Sequence, residues 1–279
     1  LHDKVEFEVV PTCVGPSFYQ WKERLAKRGG LSKKLLERLH EGLLAVSRHA
    51  VTKTQNYYKQ LNILEQKIEQ RQKEADLPNN IQSIRLLLDE CRLFGTLPFA
   101  HLARSAFVAV TILKEGVKEG WLSQNAMDEF MGSIRTVSHE LTEDAKATAN
   151  KKMSWKDFEK KYGHLRPGTY DITSPAYSDD PEKFLRPIVN AAIQSNVTSD
   201  YPVWHSERKS FFEKVRGIGL NFSDDILEQF LRDAIEGREK GKFIFSYNFS
   251  KALTMMRELA PKFGLTIFEW SNLSIFDIL

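Results

Sequence analysis

Cysteine is almost missing from this chain: Cys13 and Cys91 are the only two among 279 residues. Neither has ligand or redox spacing. That excludes a disulfide scaffold or a structural zinc site and suits buried thiols in a reducing compartment. An excess of one charge is missing too. Forty basic and 37 acidic residues leave a net charge of +3, too balanced for a nucleic-acid or membrane surface. No apolar run approaches the roughly 18 residues of a membrane-spanning helix. Leu1-His2-Asp3-Lys4 has neither an initiator methionine nor the look of a signal peptide, so a cytoplasmic piece of a longer polypeptide is expected. On that reading the four Asn-X-Ser/Thr matches, at Asn196, Asn221, Asn248 and Asn272, are chance matches or helix caps.

Complete catalytic motifs are also lacking. Gly237-Arg238-Glu239-Lys240-Gly241-Lys242-Phe243 has one residue too few between its glycines for a phosphate loop, and Phe243 replaces the magnesium-binding hydroxyl. His139-Glu140-Leu141-Thr142-Glu143 has no second histidine for zinc. No serine sits in a nucleophile elbow, and neither cysteine has an activating base beside it.

What the chain does have is helical periodicity. Lys4 to Val10 alternates in polarity and reads as a short strand stopped by Pro11. Ser17 then starts a short helix that Gly29-Gly30 ends. From Ser32, apolar residues recur at spacings of three and four through Leu35, Leu39, Val46, Leu61 and Ile68. Its charged tail, Glu65 to Asp76, reads as a solvated helical end. Gly95-Thr96-Leu97-Pro98 has the signature of a helix start, with proline in the first turn. The following helix is apolar nearly all round over Ala106–Leu113, which predicts burial. Ser123 caps a helix with a stripe from Met127 to Leu141, and Ser154 opens a short one. Further helices fit 206–216, 223–238 and 247–262.

The fold class expected is therefore mainly α: a helical domain over 31–270, preceded by a strand and turn element over 1–30. A loop-rich segment spans 167–205, where five of the ten prolines fall.

Two polar constellations stand out. At Thr96 to Arg104, a helix N-terminus offers unpaired N–H groups and partial positive charge to a carboxylate or phosphate, and Arg104 can add a bidentate contact. The alternative is an ordinary cap with a surface arginine. The second is Lys161-Tyr162-Gly163-His164-Leu165-Arg166-Pro167-Gly168-Thr169-Tyr170-Asp171, dense in polar groups and in backbone-fixing glycine and proline. Here Arg166 can clamp an anion, Asp171 can accept from an ammonium or act as a base, and His164 can exchange protons near neutral pH. The alternative is an internal network, such as Arg166 paired with Asp171 to pin the loop.

This segment resembles the tyrosine-glycine-histidine stretch in the middle, substrate-binding region of phosphoenolpyruvate-synthase-like phosphotransferases. Relatives commonly read Arg-Gly-Pro-Gly after the histidine, where this chain has Leu165-Arg166-Pro167-Gly168. With Val5–Cys13 and Thr96–Ala100, that variant is most similar to the branch containing L-glutamine kinase, which serves capsule polysaccharide biosynthesis. Gly264–Leu279 resembles the stretch that precedes the phosphohistidine domain, with 271–279 opening that connection.

The resemblance implies a helical acceptor-binding domain. ATP and magnesium are bound by a separate ATP-binding domain, and the phosphoryl group is carried by a histidine on a third. None of the seven histidines here lies in the carrier's threonine-serine-histidine context. This chain alone is expected to bind no cofactor and to be inactive. On this reading His164 and Asp171 are catalytic, while Thr96, Arg104, Arg166 and Tyr170 bind the acceptor, with the amide of L-glutamine as its best match. Arg166→Ala is then expected to weaken acceptor binding well beyond tenfold. Partners are the small acceptor and the two other domains, not nucleic acid or membrane. The rivals are a kinase for another acceptor (antibiotic, sugar or pyruvate) and a non-catalytic helical interaction module.

Overall fold

A computed structural model describes residues 10–74, 77–192, 201–274 and 277. The described residues form helices and connecting loops with no strand. The expected strand at 4–10 lies, apart from Val10, outside them. They cluster into two compact units. Unit 1 is Leu1–Tyr57, Ala100–Arg135 and Thr198–Arg238; unit 2 is Tyr58–Phe99, Thr136–Val197 and Glu239–Leu279. These boundaries do not coincide with the expected ones at 30 and 270.

In chain order the α-helices are α1 (Phe18–Gly29), α2 (Lys33–Lys73), α3 (Ile81–Glu90), α4 (Leu97–Lys118), α5 (Gln124–Gly132), α6 (Val137–Ala149) and α7 (Trp155–Tyr162). They continue with α8 (Pro181–Phe184), α9 (Arg186–Ala192), α10 (Pro202–Gly217), α11 (Asp224–Leu259) and α12 (Ile267–Ser271).

Unit 1 is built on aromatic packing. Trp204, Phe211 and Phe212 of α10 are fully buried with Phe130 of α5, and the Phe130 and Trp204 rings lie 4.3 Å apart. The same core holds Val108, Ala109, Ile112 and Leu113 of α4 and Leu227 and Leu231 of α11. That matches the burial expected at the centre of α4. Apolar clusters also hold the described residues of unit 2 together. One joins Ile84 and Leu87 of α3 to Met255, Met256 and Leu259 of α11 and to Trp270. Another joins Phe158 and Tyr162 of α7 to Ala145, Leu185 and Val189. Both thiols are buried and unpaired, as expected. Burial pushes each up to about 11, so neither is a ready nucleophile.

Three expected helix boundaries need correcting. The stripe expected from Ser123 to Leu141 is broken after Gly132. The Ser133 hydroxyl donates to the Phe130 carbonyl (2.7 Å), and Thr136 caps a new helix by accepting from the His139 N–H (3.3 Å). Conversely, 224–259 is one helix running through Gly237 and Gly241. Two helical glycines cost only about 1 kcal/mol each, and burial of Ile235, Ile244 and Phe245 outweighs that. The Gly237–Phe243 run thus forms no phosphate-cradling loop.

The third correction bears on function. No helix starts at Thr96. α3 passes into α4 through a π-helical segment, Cys91–Thr96. This wide turn accommodates Pro98, whose ring takes away a helical hydrogen bond and crowds the carbonyl four residues earlier. The Thr96 hydroxyl donates back to the Arg92 carbonyl (3.2 Å), so it caps nothing.

The resulting helix, Ile81–Lys118, contains an 18-residue window of mean hydropathy 1.4, long and apolar enough to cross a membrane by length and composition. The sequence reading missed this because it placed a break at Gly95. In unit 2, Gly95 is where this helix meets its neighbours. A Cβ there would lie 2.6 Å from the Phe245 Cβ and 3.0 Å from the Leu64 Cδ2. Gly95→Ala improves helix propensity by about 1 kcal/mol, yet overpacking costs about 1–3 kcal/mol. Denaturant titration should therefore find the variant less stable by up to about 2 kcal/mol, opposite in sign to what propensity alone gives.

Candidate functional site

The Lys161–Asp171 segment leaves α7 in unit 2 and is sewn down at once. A side chain at Gly163 would meet the Glu159 carbonyl at 2.5 Å, so only glycine fits this exit. The Tyr177 and Ser178 N–H groups donate to the Leu165 (2.8 Å) and Gly163 (2.9 Å) carbonyls. The Tyr162 hydroxyl, inside the core, donates to Asp144 of α6 (2.8 Å). Burial, and then the Asp144 carboxylate, push that phenol far above its ordinary pKa. Lys161 donates to Glu140 and Asp144, both at 2.7 Å. Burial works to lower this ammonium, but those two carboxylates outweigh it and hold it above the usual lysine value.

Arg166 is buried, 6% exposed, and held by four side-chain hydrogen bonds. Its Nε donates to the Ser250 hydroxyl (2.7 Å), and Nη2 donates to the Ser250 carbonyl (3.1 Å) and the Thr254 hydroxyl (2.6 Å). Nη1 donates to the Ser174 carbonyl. The expected anion clamp is thus corrected: the guanidinium is spent on fastening the loop to α11. It does not do so by pairing with Asp171. Asp171 lies at the surface in a local turn, accepting from the Thr173 hydroxyl (2.7 Å) and N–H (2.8 Å). The hydroxyl, and then the N–H, hold the carboxyl below its usual range, which leaves it a weak base. Tyr170 is 63% exposed, its ring edge-on to Phe249 with centroids 5.6 Å apart.

His164 lies deeper. Its Nε2 donates to the Phe243 carbonyl of α11 (3.2 Å), which fixes the tautomer. The ring packs edge-on to Phe243 at 4.7 Å and near Tyr247 at 5.2 Å. Nδ1 is buried with no partner in hydrogen-bond geometry. Burial drives the imidazole down to about 4, against the pull of the Phe243 and Lys161 carbonyls. It is a neutral ring across the physiological range.

Beside His164 lies a cavity of about 300 Å³ within unit 2, at the lower end of the range for small-molecule sites. α2 contributes Glu65, Ile68, Glu69 and Gln72; α7 contributes Asp157, Lys160 and Lys161; α11 contributes Phe243, Ile244 and Tyr247, and Met153 completes the wall. The wall is mixed: apolar groups beside charges of both signs.

Of the six residues singled out in the sequence, only His164 lines this cavity. Arg166, Tyr170, Asp171 and Thr96 belong to the same unit but not to its wall. Arg104 is an exposed residue of unit 1. Glu69, Gln72, Lys160 and Tyr247 were not anticipated, because each reads as one more polar residue on a helix face.

Among the described residues no cluster of His, Cys, Asp and Glu is suited to a metal ion. Comparison with family models, curated proteins and solved structures finds no match to this chain.

Proposed function

We propose that this chain is the acceptor-binding part of an ATP-dependent phosphotransferase, with the cavity beside His164 as the seat of a small polar acceptor. The observation that carries this reading is the juxtaposition of that cavity with the Tyr162-Gly163-His164 segment. The segment and the resemblance it bears belong to the sequence; the cavity adds a place for a ligand. L-Glutamine is the acceptor that the resemblance favours.

Phosphoryl transfer depends chiefly on positioning and on stabilising charge, so an acceptor domain contributes by binding and orienting. The residues present suit that division. His164 is neutral and held in one tautomer by the Phe243 carbonyl, so it packs against a ligand without adding charge. Ile68, Phe243 and Ile244 give the wall its apolar part, and the charged side chains supply orientation. ATP and magnesium belong, on this reading, to another domain of the parent polypeptide, and the phosphoryl group arrives on a histidine outside this chain.

The test is calorimetry on the chain with L-glutamine, pyruvate and a panel of sugars. Saturable 1:1 binding of L-glutamine, lost when Ile68→Trp fills the cavity, is the expected result. Binding that survives the filled cavity would discard the site. With ATP, magnesium and acceptor, the chain should form no phosphorylated product, and robust turnover would overturn the assignment.

One observation favours a second reading, a helical interaction module: Leu86, Leu93 and Leu97 are each about half exposed along one helix. Failure of every acceptor to bind, together with concentration-dependent association in sedimentation, would favour it.

A further inference from the structure

Besides the Tyr247 phenol, six titratable residues line the cavity: Glu65, Glu69, Asp157, Lys160, Lys161 and His164. Four of them are committed elsewhere. Glu65 pairs with Lys240 at 3.2 Å. Asp157 accepts from the Ser154 hydroxyl (2.6 Å) at the start of α7. Lys161 is held by Glu140 and Asp144 at 2.7 Å each, and His164 by the Phe243 carbonyl. Glu69 and Lys160 remain, one negative and one positive, on different helices. Among the described residues neither forms an ion pair, with the other or with any neighbour.

Opposite charges that face one hollow without meeting leave an electrostatic gap for a molecule carrying both signs. Gln72 and Tyr247, also on the wall, offer an amide and a hydroxyl to a neutral polar end of such a molecule.

Resting on the acceptor-site reading above, we infer that Glu69 and Lys160 are the specificity-determining pair of the cavity. Glu69 receives the ammonium and Lys160 the carboxylate of a small zwitterion, while Gln72 and Tyr247 face its uncharged polar end. The site thereby discriminates against acceptors of a single charge, such as pyruvate, and against neutral sugars. A singly charged acceptor leaves one charged side chain, and a neutral sugar leaves both, facing a ligand that cannot answer them.

The inference is tested by titrating the full chain with three probes: L-glutamine; 5-amino-5-oxopentanoate, which lacks the ammonium; and 4-aminobutanamide, which lacks the carboxylate. Each is measured on the wild type, Glu69→Gln and Lys160→Gln. Both side chains are on the surface, so circular dichroism and thermal midpoints should match the wild type. Loss of one charge-assisted hydrogen bond is worth about tenfold in affinity.

The expected pattern is crossed. Lys160→Gln should weaken L-glutamine about tenfold and leave 4-aminobutanamide unchanged. Glu69→Gln should weaken L-glutamine and 4-aminobutanamide alike and leave 5-amino-5-oxopentanoate unchanged. If the wild type binds L-glutamine but the variants do not sort the probes by charge, the pair is refuted and the acceptor site stands. If the wild type binds none of the probes, the acceptor reading falls as well.

Discussion

Arg166→Ala should lower the stability of unit 2 by about 3–5 kcal/mol, among the largest effects of any single substitution in the chain. Arg166 is 6% exposed, and its guanidinium donates to two hydroxyls and two carbonyls. Truncation removes these bonds: the Ser250 carbonyl keeps its place in the α11 ladder, but the Ser174 carbonyl and the Ser250 and Thr254 hydroxyls lose a charged donor, and an acceptor left unsatisfied costs more than the bond was worth. Arg166→Lys rescues little, because one ammonium cannot reproduce a planar fork aimed at four acceptors. Thermal unfolding followed with hydrogen exchange checks this, since amides from Gly163 to Ser178 should lose protection first. Acceptor affinity, measured where the variant is still folded, should change far less than a substrate clamp requires. Wild-type stability with binding lost beyond tenfold would restore the clamp.

His164 should make this fold acid-sensitive. Its folded pKa, about 4, lies below the ordinary value of 6.5 because burial disfavours the charged ring. Between those values the unfolded chain binds a proton that the folded chain refuses, so stability rises with pH through the window. The contribution is complete above about pH 6.5 and is lost as pH falls toward 4, by about 3 kcal/mol in all. Other carboxylates titrate in the same range. The clean measurement is therefore the stability difference between wild type and His164→Gln, which should shift by that amount against the wild type between pH 7 and 4. A difference independent of pH would mean that the ring protonates freely in the folded state. Carbon shifts of the imidazole, staying in the neutral form down to pH 5, provide the same test by NMR.

Mainly α architecture was legible in the sequence, since apolar spacing of three and four survives in α2, α4 and α11. The caps at Ser123 and Ser154 were legible for the same local reason: each hydroxyl accepts from the N–H three residues on, at 3.1 and 3.0 Å. Breakers were misread in both directions, because tertiary contacts decide their effect. Gly95 and Pro98 resemble a boundary until Phe245 and Leu64 pack against the glycine and a wide turn accommodates the proline. Gly132 resembles an ordinary helical residue until Ser133 and Thr136 end one helix and start another.

The site was legible at one residue. A compact polar motif announces that a segment is unusual, but not which of its side chains face a cavity and which face the fold. Arg166 went inward, His164 reached the cavity wall, and Tyr170 and Asp171 went to the surface. The partners of His164 across the hollow come from α2 and α11, some 80 to 100 residues away in the chain, a distance no local pattern records.

The 163–174 segment also has a mechanical property. It is anchored to α11 at Phe243, Ser250 and Thr254, eleven residues of helix or roughly 16 Å of travel. These fasteners come from His164 and Arg166, so this end of the strip is pinned at separate points along a rigid rod and cannot swing as a lid without breaking both attachments. Ligand exchange is therefore expected to leave the strip in place, with its amides as slow to exchange in the empty protein as in the occupied one.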